Sequence, residues 1–176
     1  MAVTNEEFRA ALGRFASGVT VVTTRDGAGA PHGLTVSAFS SVSLEPPLVL
    51  VCIERATASH DSFQECGAFV VNILSANQEL VSRHFAAPSE DKFAGIAYRK
   101  GLKEIPVLED ALANLQCRLM HTFESGDHTI FIGHVRSLIV GEGKKPLRFF
   151  RGKFGGLAAT EPAPVDFLEL DRELIW

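Results

Sequence analysis

The segment Gly33-Leu34-Thr35-Val36-Ser37-Ala38-Phe39-Ser40-Ser41-Val42-Ser43 places hydroxyls at Thr35, Ser37, Ser40 and Ser41 among small and apolar neighbours, with no charge between Gly33 and Glu45. That chemistry suits a neutral, planar ligand rich in heteroatoms that lies against backbone. The stretch Glu54-Arg55-Ala56-Thr57-Ala58-Ser59 stands just ahead of an expected helix, and its amides, hydroxyls and one cation suit an anion. Gly126-Asp127-His128 reads as a turn that sets an imidazole at a strand start, where it can hydrogen-bond or stack. Each group also has a plainer reading. Alternating serines and threonines make a solvated sheet face or inter-strand hydroxyl pairs, Arg55 and Thr57 make a polar turn with a cap, and His128 makes a hairpin residue facing water. His32, His60, His84, His121 and His134 lack H-x-H or H-E-x-x-H spacing, so no metal is expected and they read as surface or satisfied core residues. Cys52, Cys66 and Cys117 are odd in number and form no C-x-x-C, which favours buried small residues of a reduced protein over a disulfide or zinc framework.

The elements that must position these residues are mainly strands. Thr4 and Glu7 form a capping box, and Phe8, Ala11, Leu12 and Phe15 follow at helical spacing, predicting a short amphipathic helix that leads to Gly18. Residues 19–25 are rich in β-branched side chains, Asp26-Gly27-Ala28-Gly29 is a hairpin turn, and a return strand runs from His32 into the hydroxyl-rich segment. Residues 48–53 are continuously apolar and predict a strand buried on both faces. A short helix over 61–66 stops at Gly67, and 68–74 is another strand. Ser75 and Gln78 supply a second capping box, starting a helix with Leu80, Val81 and Phe85 on its inner face and ending at Pro88. Residues 88–110 read as a long excursion, the kind that usually covers a site or meets a partner. Leu115, Cys117, Leu119, His121 and Phe123 alternate with polar residues, predicting a half-buried antiparallel strand that turns at Ser125-Gly126-Asp127 into a strand over 129–140. A last strand over 147–150 leads into Arg151-Gly152-Lys153-Phe154. Six or seven strands joined by short turns suggest a closed antiparallel barrel with a few connecting helices.

Composition sets outer limits. The 176 residues, 46% hydrophobic, fit one ordinary domain, expected over 1–159 with a C-terminal tail over 160–176 to which no function is assigned. A formal net charge of -4 with scattered Lys and Arg argues against a nucleic-acid footprint. The start Met1-Ala2-Val3-Thr4-Asn5 has neither a basic region nor an apolar run, and no apolar span reaches about 18 residues, so a soluble cytoplasmic protein with no membrane contact is expected. Neither G-x-G-x-x-G nor a P-loop is present, which argues against a Rossmann or phosphoryl-transfer enzyme.

With Ala16-Ser17-Gly18-Val19-Thr20-Val21-Val22-Thr23-Thr24 before the hydroxyl-rich segment, and Gly67-Ala68-Phe69-Val70-Val71-Asn72-Ile73-Leu74 and Gly126-Asp127-His128 after it, the chain resembles the flavin reductases, the small components of two-component flavin-dependent monooxygenases. The resemblance runs in order from about Phe8 to Phe154. It implies a flavin-binding split barrel, a homodimer in which each partner helps enclose the flavin, non-covalent FMN or FAD, NADH or NADPH as hydride donor, and a partner monooxygenase that consumes the reduced flavin. By position it implies flavin contacts at Thr35, Val36, Ser37, Ala38, Ser40, Ser41, Cys52, Ile53, Glu54, Ala58, Ser59 and Phe85. It implies NAD(P)H contacts at His128, Arg151, Gly152 and Phe154, with no acid or base required for hydride transfer. Relatives carry a Gly-x-Tyr-like element at the last of these, so Phe154 removes a hydroxyl. A flavin-binding electron carrier, or a flavin-binding module without reductase activity, is the alternative, and the intact Gly-Asp-His favours the reductase.

Overall fold

The computed structural model describes residues 2–89, 91–141 and 145–156. The expected tail over 160–176 and the domain limit at 159 lie outside the described residues. In chain order the elements are α1 (Asn5–Leu12), β1 (Ser17–Gly18), β2 (Thr20–Arg25), β3 (Pro31–Val36), β4 (Phe39–Leu44), β5 (Pro47–Glu54), α2 (His60–Cys66), β6 (Ala68–Ile73), α3 (Glu79–Ala86), β7 (Tyr98–Lys100), β8 (Pro106–Leu108), β9 (Ala113–Ser125), β10 (His128–Val140), β11 (Arg148–Phe150) and β12 (Lys153–Gly155).

The protein is mainly β. Seven strands form one antiparallel sheet in the order β3-β2-β6-β9-β10-β5-β4. Its two edges, β3 and β4, are consecutive in the chain and meet through Ser37 and Ala38 alone. A three-stranded sheet, β1-β11-β12, and a two-stranded one, β7-β8, complete the described strands. The β2-β3 hairpin closes where Asp26 Oδ1 accepts the Ala30 amide at 2.8 Å and Gly29 takes a φ of 90°, a conformation that glycine reaches without penalty. Those bonds, with the one to His32, hold the Asp26 carboxyl below the usual carboxylate range.

Aromatic and β-branched side chains fill the interior, with Val22, Val51, Ile53, Phe63, Phe69 and Phe131 in one cluster and Val21, Leu74, Phe85, Phe93, Leu108 and Leu147 in another. The buried threonines of β2 and Asn72 of β6 are paired. Thr20, Thr23 and Thr24 donate to the carbonyls of Val36, Pro106 and Ala68 at 2.7, 2.6 and 2.9 Å. Asn72 donates to the Val21 carbonyl at 2.9 Å and accepts from the Leu108 amide at 3.0 Å and from Asn114 at 2.8 Å. Removing a group that satisfies several buried partners leaves each of them desolvated, so these bonds fix the sheet's central register.

Both capping boxes are present, at Thr4 with Glu7 and at Ser75 with Gln78. Several expectations need correction. β5 is not buried on both faces: Val49, Val51 and Ile53 point inward and alternate with more exposed positions, because β5 lies next to the edge strand β4 and is covered on one side only. Leu80 is 80% exposed, and the inner face of α3 is Val81, Ser82 and Phe85 instead. No residue of α1 is buried, so its apolar stripe of Phe8, Leu12 and, beyond the helix, Phe15 has no cover among the described residues. The stretch 88–110 is not irregular: it holds the β7-β8 hairpin and inserts Phe93, Ile105, Val107 and Leu108 into the core. In β9 the inward alternation fails after Leu119. Every residue from Met120 to Ser125 is exposed, His121 and Phe123 included, while Asn114 and Gln116 are buried; register shifts against β10 fall between Ile132/Gly133 and Val135/Ser137.

Candidate functional site

The β3-β4 junction, the end of β5 and the start of β10 are brought together by backbone hydrogen bonds. The Cys52 amide donates to the Ala38 carbonyl at 3.0 Å, and Phe39 pairs with Val51. One strand further on, Ile130 pairs with Cys52, Thr129 with Ile53 and His128 with Glu54. Ser37, Ala38, Ser40, Ser41 and Glu54 are exposed along this line, Cys52 is half-buried, and Ile53 and Val36 point into the core. Burial raises the Cys52 thiol above its ordinary range, so it stays protonated at neutral pH. The hydroxyls are not equivalent. Thr35 is committed to α3, donating to the Ser82 carbonyl at 2.6 Å, and Ser40 donates to the neighbouring Ser41 carbonyl at 3.0 Å. Ser37 and Ser41 stand exposed on either side of the junction.

The turn after β5 folds back onto the start of β10. The Arg55 amide donates to the Asp127 carbonyl at 2.9 Å, and Thr57 donates through both its amide and its hydroxyl to the Glu54 carbonyl, at 3.1 and 2.9 Å. Arg55 also pairs with Glu124 at 3.2 Å, an exposed contact of small energetic weight. Ala58 is exposed and Ser59, the residue before α2, is buried, with no side-chain cap bond to the helix. At the β9-β10 turn Gly126 has a φ of 62°, which leaves Asp127 placed to meet the next side chain: its Oδ1 lies 2.6 Å from His128 Nδ1. That bond, with the imidazole's charge when protonated, holds the Asp127 carboxyl below the usual carboxylate range. His128 is part-exposed, with Nδ1 occupied and Nε2 left as the group a ligand can meet.

The structure leaves two groups of expected residues apart from this line. Phe85 is fully buried against Phe93, and a Cβ on Gly33 would come within 2.8 Å of its ring, so its side chain serves the core and does not face the junction. Arg151, Gly152 and Phe154 belong to the β11-β12 hairpin of the smaller sheet, whereas His128 lies in the larger one. Within that hairpin Phe154 packs on Phe149 with ring centroids 5.2 Å apart and lies under the Arg83 guanidinium at 4.8 Å, Arg151 sits over Phe150, and the Arg151 amide donates to the Gly13 carbonyl. The pairing of His60 with Thr129 of the larger sheet has little sequence signature. Its only signal was a histidine directly after Ser59.

Comparison with known proteins adds a family. The chain matches the flavin reductase like domain over residues 12–158. It is 42% identical over 158 residues to a flavin reductase of Pseudomonas putida, covering 90% of this chain and 93% of that one. It is 38% identical over 165 residues to the reductase subunit HsaB of a flavin-dependent monooxygenase of Rhodococcus jostii, covering 93% of this chain and 84% of that one. Some relatives are longer, and the chain spans 47% of one from Rhizobium meliloti that is 42% identical over 146 residues. Among solved structures it is similar to a Streptomyces globisporus NADH:FAD oxidoreductase in complex with NAD and FAD fragments, with a TM-score of 0.84, 34% identity, and coverage of 92% of this chain and 99% of that one.

Proposed function

The chain belongs to the flavin reductase like domain family, and from that premise we propose that it is an NAD(P)H:flavin oxidoreductase that uses NADH or NADPH to reduce non-covalently held FMN or FAD. The observation that carries this reading is the convergence of the Ser37-Ala38 junction, the Cys52–Glu54 strand end and the Asp127-His128 turn through the Ala38–Cys52 and Arg55–Asp127 backbone bonds. The residues fit a flavin. Small exposed side chains at Ser37 and Ala38 let backbone approach a flat ring, the uncharged run from Thr35 to Ser41 suits its neutral polar edge, and Arg55 with the nearby hydroxyls suits its phosphate.

When bound, the flavin supplies the hydride-accepting ring. The chain's own residues bind and orient. Ser37, Ala38, Ser40, Ser41, Cys52 and Glu54 form the platform, with Thr35, Val36 and Ile53 fixing its backbone from behind. Ala58 and Ser59 stand at the phosphate end. His128, its Nδ1 anchored by Asp127, offers Nε2 to the nicotinamide nucleotide. Proximity, with water displaced, then does most of the work.

A single chain leaves this platform open to solvent. The apolar groups Phe8, Leu12, Phe15, Val42, Leu44, Met120, Phe123, Leu138 and Val140 are exposed among the described residues. A two-fold homodimer in which the sheet curls into a closed split barrel would cover them and bring the Arg151-Gly152-Phe154 hairpin of one copy toward a nucleotide site. The reduced flavin passes to a partner monooxygenase. The three free cysteines suit the reducing cytoplasm, and no helix among the described residues is long and apolar enough to cross a membrane.

The reading is tested at His128. His128→Ala should leave flavin affinity within about twofold of the original, while kcat/KM for NADH or NADPH falls roughly tenfold to a hundredfold, as expected for about 1–3 kcal/mol from one lost contact. A folded variant with kcat/KM unchanged for both nucleotides would remove His128 from the site.

A further inference from the structure

The segment 55–59 is fastened to β10 on both sides of His128. The first fastening is made by backbone, Arg55 amide to Asp127 carbonyl at 2.9 Å, and any side chain would allow it. The second is made by side chains. His60 Nε2 lies 2.9 Å from Thr129 Oγ1, with Thr129 fully buried and His60 8% exposed. The imidazole is held in place from two further directions. Its Nδ1 lies 2.9 Å from Asp61 Oδ1, and its ring meets Phe131 edge-on at 5.6 Å between centroids. Both ring nitrogens are thus engaged, Nδ1 by the Asp61 carboxylate and Nε2 by the Thr129 hydroxyl.

We propose that His60 and Thr129 are positioning residues that couple the flavin-phosphate end of the site to the nicotinamide-binding histidine. His60 follows Ser59 directly and Thr129 follows His128 directly, so a shift at either subsite is transmitted to the other through one short bond. The ladders with β5 and β9 already hold β10 from His128 onward; the Arg55–Asp127 and His60–Thr129 bonds tie residues 55–60 to that frame on both sides of His128. The inference rests on the reading of Ser59 and His128 as flavin and nucleotide contacts.

The test uses an isosteric pair of variants. Thr129→Val removes the hydroxyl at constant shape, and Thr129→Ser restores it. Thr129→Val should raise both the flavin dissociation constant, read by fluorescence titration, and the KM for NADH by about three- to tenfold, with kcat changed less than twofold. Thr129→Ser should return both constants to within twofold of the original. His60→Asn, which keeps a donor at the Nδ1 position but nothing at Nε2, should match Thr129→Val, and the double variant should be no worse than either single one. A merely structural pair would lower Tm and leave both constants unchanged, or would move only one of them, and either result overturns the coupling. The original chain supplies a check that needs no folded variant: flavin alone should slow amide exchange at residues 127–129 as well as at 55–59. Protection confined to 55–59 would also overturn it. An original chain that binds neither flavin nor NADH would instead end the functional reading itself, and this inference with it.

Discussion

The threonines of β2 and the serines around the β3-β4 junction are chemically alike and are treated oppositely by the fold. Thr20, Thr23 and Thr24 are buried and each donates to a carbonyl of a neighbouring segment, whereas Ser37, Ser40 and Ser41 are exposed at the one place where the sheet's two edges follow each other in the chain. A buried hydroxyl with a partner stabilises the sheet and has nothing left to offer a ligand. An exposed one at a sheet edge contributes little to stability and keeps its donor and acceptor for something else. The molecule is therefore divided between a sheet centre whose threonine hydroxyls are committed and a rim where Ser40 makes only a local bond and Ser37 and Ser41 stand exposed.

The largest effect that would break this division is at Asn72. Asn72→Ala should lower unfolding free energy by roughly 3 kcal/mol or more, because the Val21 carbonyl, the Leu108 amide and the Asn114 side chain each lose a buried partner. Urea denaturation measures it, and a loss below about 1 kcal/mol would mean that the centre is less committed than its geometry indicates. At the rim the order of effects reverses. Ala38→Leu should lower flavin affinity by about 1–3 kcal/mol, the scale of overpacking a fitted surface, while stability stays within about 0.5 kcal/mol, since the side chain is exposed. A titration showing equal flavin affinity in the folded variant would take the ring away from Ala38.

How much of this contrast could be read from sequence depended on range. The capping boxes at Thr4 and Ser75 and the Asp26 hairpin turn are settled within four or five residues, and all are present. The exposure of His121 and Phe123 is not legible in the sequence, because nothing in the local spacing marks where β9 runs past the core. At Gly133 a Cβ would collide with the Phe69 ring and come within 2.8 Å of the Cys117 Cβ, so that point of β10 requires glycine. Leu80 was placed inward by spacing, yet the packing of Phe85 on Gly33 and of Ser82 at Thr35 sets the rotation of α3. In the site, the hydroxyl-rich run and Gly126-Asp127-His128 were visible as types and spacing. Their junction with Cys52 and Arg55 was not, being made by backbone bonds between segments far apart in the chain.

The smallest expected effect concerns the thiols. Burial pushes the Cys117 thiol up to about 12 from an ordinary 9.0, so the folded chain disfavours its thiolate. The sign follows: this contribution to stability is complete below pH 9 and is lost as pH rises from 9 toward 12. Alkylation at pH 8 should therefore reach the half-buried Cys66 well before Cys117, with Cys52, whose thiol is also raised, slowed further when flavin is bound. Peptide mapping of the alkylated protein gives the order, and rapid labelling of Cys117 in the folded state would contradict the burial of the sheet's interior.

The rim's assignment to flavin reduction is met most directly by one assay of the purified chain. NADH or NADPH is mixed with FMN or FAD, and loss of the nicotinamide absorbance band is followed. The account predicts catalytic turnover with at least one nucleotide and one flavin, saturable in both. A folded protein that binds flavin but leaves both nucleotides unoxidised over many minutes would contradict it and make the chain a flavin carrier.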